Sequence, residues 1–333
     1  MNKNEDYVER QQNEKNVAVY TALVNKQKEQ SIMRARIIGV KPNSKGVYAR
    51  EKWYAVAEIS IPDFDEFNVI IPAFLMGFDD IEDKKDKAGN PISEYDKYKL
   101  YRSYIFRMIN AEIDFVIYNS PIAITMTDKV KLILGDRITA MKKLQNSYYF
   151  KSDKNGKSNM ERRFEADEKV PAKVITITDN TVIVDVCGYI GTVIAREVSW
   201  RYTEDLHNVV RVGEAVHVKF LDLKINKEDK TIEATLSIKA ATPNKMLENM
   251  NKFTEGSTLL GKVSGERNGG FYVQVGNYNN GIDVYCKKIN TFEVPHKNDK
   301  VAVQLYKFDY DKGRIYGSID AIVEKGYSSY INV

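Results

Sequence analysis

A chain of 333 residues with 50 Lys+Arg, 46 Asp+Glu and two cysteines is too long for one small domain, too balanced for a polybasic tail and too poor in thiols for a disulfide scaffold. Hydrophobic residues at 43% and charged residues at 29% exclude wholesale disorder and a fibrous repeat, so two or three domains with a sizeable core are expected. The net charge of +4 leaves the partner open.

Cys187 and Cys286 lie far apart with no second Cys or His at ligand spacing, which excludes a zinc knuckle and points to a reducing compartment. The N-terminal MNKNEDYVERQQNEKN is polar, and no apolar run approaches the roughly 18 residues of a membrane span. The expected location is a cytoplasm, or a particle packaged from one. The 21 tyrosines lean the reading toward strands and exposed aromatic faces.

In chain order, residues 1–30 read as a polar helix or arm, with Val8, Val17, Tyr20, Leu23 and Val24 thinly spaced. It either packs a narrow stripe on its own domain or docks a partner. IMRARIIGVK, WYAVAEISI and FNVIIPAFLM follow as three short strands, bounded by turn residues such as Asn43 and Gly46. The charged run GFDDIEDKKDKAGNPISEYDKYK is a solvated excursion turning at Gly89, Asn90 and Pro91. It leads into a helix near Glu94, with Leu100, Tyr104, Ile105 and Met108 at helical spacing. AEIDFVIYN and IAITMT would close a five-stranded barrel spanning 31–127, interrupted by the insertion at 79–105. Residues 128–165 then read as a basic helix, with Val130, Ile133, Leu134, Ile138, Met141 and Leu144 on one face, running into a linker.

That connector is the electrostatic hot region. Residues 127–163 carry ten Lys/Arg against four Asp/Glu, an excess larger than that of the whole chain. A solvated helix face explains it, as does a nucleic-acid backbone or an acidic protein surface; Lys142 and Lys143 are the candidate contacts.

From Val170 the run VPAKVITITDNTVIVDVCGYIGTVIAREVSWRY, and after a spacer VRVGEAVHVKFLDLKINKEDKTIEATLSIKAA, alternates apolar and polar residues in five short strands. Gly188 and Gly191 are placed at turns. This stretch resembles the S-one RNA-binding domain, an oligonucleotide-binding barrel, within 166–245. GSTLLGKVSGERNGGFYVQVGNYNNGIDVYCKKI and HKNDKVAVQLYKFDYDKGRIYGSIDAIV repeat the order within 246–333. The fold expected is mainly β: three tandem oligonucleotide-binding-type five-stranded barrels with an N-terminal helix and a basic helical connector.

The resemblance implies a platform of aromatic and basic side chains that stacks single-stranded bases. In the middle barrel the stacking positions fall on Val182 or Ile183 and on Ile194, all aliphatic, while Lys239 on the closing LSIKA run is a candidate contact. In the last barrel they fall on Phe271 or Tyr272, one of which belongs to the core, and near Val284 or Tyr285. Tyr278, Arg267, Lys287, Lys288 and Arg314 are neighbours there. Trp200 is expected to pack.

Enzymatic chemistry has little support. His207, His217 and His296 have no nucleophile at a suggestive spacing, and the cluster Asp79, Asp80, Glu82, Asp83 and Asp86 has the wrong periodicity for a calcium loop. Neither a metal, nor a cofactor, nor a small-molecule substrate is expected. The resemblance implies a non-catalytic protein that binds single-stranded RNA or DNA. The chain is also similar to S-one-domain proteins of bacteriophages and prophages of low-GC bacteria, which implies an alternative as a virion or head-assembly protein that contacts other phage structural proteins.

Overall fold

The computed structural model describes residues 3–42, 53–59, 67–78, 81, 84–127, 131–267, 269–277, 280–287 and 293–326. The turn residues Asn43 and Gly46, Val130, and Asp79, Asp80, Glu82 and Asp83 of the acidic run lie outside them.

Helix α1 (Lys3–Glu29) is anchored to its own domain by its C-terminal part. Leu23 is fully buried, and the Gln27 side-chain amide donates to the carbonyls of Tyr118 and Ser120, both at 2.8 Å. Lys143 Nζ donates to Glu29 O at 3.3 Å and to Gln30 O at 2.5 Å, where the helix dipole leaves partial negative charge. Lys143 is therefore a helix cap.

The first barrel comprises β1 (Met33–Pro42), β2 (Trp53–Ile59), β3 (Asn68–Pro72), β4 (Glu112–Ile117), the short edge strand β5 (Ile124–Met126) and β6 (Lys131–Asp136). Strand β1 pairs with β2 and β4, β2 with β3 and β4 with β6, while β3 and β6 run parallel and close the ring. Ile37, Ile71, Ile113, Phe115 and Ile133 fill its core. Between β3 and β4, α2 (Glu94–Arg107) buries Tyr101 and Ile105 on the barrel, its N-terminus capped by the Ser93 hydroxyl.

Lys131–Asp136 is a strand where the apolar spacing predicts a helix. The reason is local: the Asp136 carboxylate accepts from Thr139 N at 3.0 Å and from Thr139 Oγ1 at 2.6 Å, so the helix begins after it. The fifth position of the barrel thus belongs to β6, and IAITMT supplies only the edge strand. The expected linker is also structured. Helix α3 (Arg137–Gln145) widens into a π turn over Asn146–Phe150, and α4 (Asn159–Glu165) opens on a capping box between Ser158 and Glu161. Tyr149 and Met160, both fully buried, join the core of the middle barrel.

The middle barrel is a sheet in the order β11 (Thr231–Ser237), β10 (Ala215–Asn226), β7 (Val170–Ile177), β8 (Thr181–Val186), β9 (Tyr189–Ile194). Cys187 and Gly188, with φ of 51° and 85°, form the two-residue turn between β8 and β9, a backbone shape that glycine adopts without cost. Gly191 is not at a turn; it lies within β9, where a side chain would collide with Leu236 of β11. After α5 (Lys245–Met250), β12 (Thr258–Arg267), β13 (Gly270–Val275), β14 (Ile282–Lys287), β15 (Lys300–Asp309) and β16 (Arg314–Glu324) form a closed barrel, with β14 and β16 parallel.

All three units share one strand order and one irregularity. The first strand of each shifts register against the second, between Ile37 and Gly39, Val174 and Thr176, and Val263 and Gly265. After the shift Thr176 faces Ile183 and Gly265 faces Tyr272, so Ile183 and Tyr272 are equivalent positions.

Candidate nucleic-acid interface

Strand alternation decides which aromatics of the last barrel reach solvent. Phe271 points inward and is 3% exposed, packed in the core with Val263, Val273 and Val284, so it is removed from the stacking set. Its neighbour Tyr272 points outward. Tyr272 lies directly across from Tyr285 on β14, and Tyr285 across from Tyr316 on β16. Ring centroids are 5.3 Å apart for the first pair and 6.2 Å for the second, so three adjacent strands carry one aromatic row. Tyr285 lies over Gly270, where any Cβ would fall 2.6 Å from its ring.

The middle barrel leans over this row. Arg201, on the segment that follows β9, donates from Nε and Nη2 to Asp283 Oδ1 at 2.9 and 2.7 Å, and Tyr202 N donates to Asp283 Oδ2 at 2.7 Å. Side-chain exposures of 8% and 6% make this a buried, charge-assisted pair in which both carboxylate oxygens are engaged. Tyr202 then stacks on Tyr272, with centroids 4.2 Å apart and planes within 1°. Gly265 lies beneath it, since a Cβ there would meet the Tyr202 ring at 2.8 Å. Glu204, two residues on, pairs with Lys297. Burial pushes the phenols of both Tyr202 and Tyr272 above the usual tyrosine range, so both stay neutral across the physiological range.

Between the two barrels runs a groove of about 460 Å³. Its walls carry Tyr202, Tyr272, Tyr285 and Tyr316 together with the exposed cations Arg196, Arg267, Lys312 and Arg314. Lys239 reaches the same groove but is held there. Its Nζ donates to Arg196 O at 2.7 Å, pairs with Glu197 at 3.1 Å and lies 5.4 Å from the Trp200 ring centre. Trp200, expected to pack, instead stays exposed at the groove wall, with Nε1 donating to Thr242 O.

The other expected contacts scatter. Lys287 is exposed at the end of β14, outside the groove lining, and Lys288 and Tyr278 lie outside the described residues. Lys142 is exposed on α3, far in sequence from the row, and Lys143 caps α1. Several charges of the basic connector are likewise occupied: Arg162 pairs with Asp153 at 3.1 Å and Lys157 with Glu165 at 2.6 Å. Arg137 is 2% exposed, donates to Met76 O at 2.6 Å and faces Asp185 at 3.7 Å, while burial pulls its pKa down. Sequence reasoning missed Tyr316, although its alternation with Arg314 on one strand was visible. It also missed Tyr202, for which no local signal exists, because its partners belong to another barrel.

Comparison with known proteins bears on the middle barrel. Residues 163–239 match the S1 RNA binding domain. The match begins in α4 and ends just past β11, the whole of the barrel described above. Among curated proteins, the small ribosomal subunit protein bS1 of Staphylococcus epidermidis is 28% identical over 162 residues, covering 47% of this chain and 40% of that one. A 4-hydroxy-3-methylbut-2-enyl diphosphate reductase of Clostridium acetobutylicum is 31% identical over 101 residues, covering 30% and 15%. The chain thus spans less than half the length of these relatives. Two solved structures share weak likeness. A Pyrococcus horikoshii a/eIF2alpha–aDim2p–rRNA complex chain has 16% identity, a TM-score of 0.20, and coverage of 26% of this chain and 54% of its own. A Streptococcus pneumoniae multidomain protein with nucleic acid binding domains has 9% identity, a TM-score of 0.18, and coverage of 88% and 74%. Among the described residues no three His, Cys, Asp or Glu side chains converge as a metal site, and no helix is long and apolar enough to cross a membrane.

Proposed function

We propose that this chain is a non-catalytic binding protein for single-stranded nucleic acid, RNA rather than DNA, acting in a cytoplasm. The strand would lie in the groove between the middle and last barrels. The observation that carries the reading is the Tyr272, Tyr285, Tyr316 row rimmed by Arg267 and Arg314. Aromatic faces stack bases of any sequence, each worth about 1–3 kcal/mol, and exposed guanidinium groups meet phosphates. The S1 match at 163–239 and the likeness to a ribosomal protein support RNA as the polymer. The virion role raised by the sequence gains no observation from the fold.

Fluorescence anisotropy with a labelled twelve-nucleotide oligouridylate tests this. Binding in the micromolar range is expected at about 50 mM salt, weakening steeply at higher salt. The double variant Tyr285→Ala/Tyr316→Ala should lose at least about tenfold. Equal affinity for the deoxy strand would remove RNA preference. An unaffected double variant, or low-salt binding by neither wild type nor a Tyr202→Ala variant, would end the reading.

A further inference from the structure

A base that stacks on the last barrel at Tyr272 needs a face of that ring. Tyr202 already lies there, parallel within 1° and 4.2 Å away. We infer that Tyr202 is an internal stand-in for a base: the middle barrel closes the stacking seat of its neighbour, and the nucleic acid must displace it. This rests on the proposed function, and it names the regulation of that same site.

Three features set Tyr202 in the seat. Gly265 provides a floor without a side chain, where even a Cβ would meet the Tyr202 ring at 2.8 Å and Glu204 Oε1 at 2.2 Å. The buried carboxylate of Asp283 holds the backbone of Tyr202 and the guanidinium of Arg201 together, and Arg201 Nη1 also donates to Asn277 O at 3.1 Å. The ion pair of Glu204 with Lys297 pins the far side of the segment.

The rest of the row stays at the groove wall. Tyr285 and Tyr316 sit side by side on β14 and β16 with Arg314 beside them, and all three line the groove. An incoming strand would engage these first and take the seat at Tyr272 only when the latch lifts. If the open form is a minority of about one in ten, the apparent affinity falls by the same factor.

The experiment compares wild type, Tyr202→Ala and Tyr202→Phe, with circular dichroism to verify folding and anisotropy with the oligouridylate at about 50 mM salt. Tyr202→Ala should bind about tenfold more tightly than wild type, and Tyr202→Phe, which keeps the stack, should stay close to wild type. Asp283→Asn, which weakens the latch without touching the row, should also tighten binding if Tyr202→Ala proves poorly folded. Wild-type binding with an equal or weaker Tyr202→Ala overturns the inference and makes Tyr202 either inert or part of the platform. Absence of binding by wild type and all variants fails the nucleic-acid reading itself, and the inference with it. Binding by Tyr202→Ala alone supports both.

Discussion

The segment after β3 carries Phe78 to the face of the middle barrel, and the segment after β9 carries Tyr202 to the face of the last one. The two junctions are built alike and filled differently. The lower one encloses about 320 Å³ lined by Phe78, Tyr104, Met108, Ile175, Ile183 and Ile190. At its wall stands Arg137, desolvated and turned to Met76 and Asp185. In the upper one, Tyr272 and Tyr285 stand where the middle barrel has Ile183 and Thr192, and its cations Arg267 and Arg314 are exposed. A buried cation is committed to the fold, whereas an exposed one beside aromatic faces is available to a phosphate. The same strand geometry therefore buries Arg137 at the lower joint, where only Arg107 is exposed, and sets two exposed guanidinium groups beside a row of tyrosines at the upper one.

The comparison is broken most forcefully at Arg137. Arg137→Ala would leave the Asp185 carboxylate, already pushed up by burial, without its partner. A loss of about 3–5 kcal/mol is expected in urea unfolding, with oligonucleotide affinity unchanged in the folded fraction. A loss below about 1 kcal/mol would show that the lower joint does not depend on it. At the upper junction, Arg267→Ala and Arg314→Ala should each flatten the plot of log affinity against log salt by about 0.7, read from titrations across a salt series. An unchanged slope would move the phosphate contact elsewhere, Lys287 and Lys142 being next in line.

Ile183→Ser sharpens the contrast from the other side. It should leave oligonucleotide affinity within about twofold, because the lower junction stacks no base; a larger drop would make both junctions part of one site. The smallest effect concerns the thiols. Burial pushes Cys187 up to about 11 and Cys286 up to about 12, so at pH 8 thiolate is scarce and alkylation of the native protein should be slow. Cys187 sits at a turn of the middle barrel and Cys286 beneath the face of the last one. Oligonucleotide should therefore slow labelling of Cys286 and leave that of Cys187 alone, as peptide mapping would read out.

Much of the fold was legible because strand alternation and turn residues are local. The five strands of the middle barrel, the aromatic strand of the last and α2 all carry their signal within a few residues. The first barrel's closing strand was not, because Ile133, Leu134, Ile138 and Met141 satisfy a helical period across a boundary that only the Asp136 cap marks. At the site, Tyr272, Tyr285, Arg267 and Arg314 could be read from position in the repeat. Phe271 could not be told from Tyr272 until packing placed Phe271 in the core with Val273 and Val275.

The near-balance of charge illustrates the division. The sequence by itself determined that basic residues concentrate in 127–163 and that the middle barrel lacks stacking aromatics, because both are properties of a linear stretch. Only the tertiary structure decided what those charges do: Arg137 is buried between barrels, Lys143 caps α1, and Arg162 and Lys157 are paired. It also decided that the barrel without stacking aromatics sends one, Tyr202, to its neighbour. Stacking and ion pairing act over a few ångströms of space, and Tyr202 and Tyr272 are neighbours there although 70 residues of chain separate them.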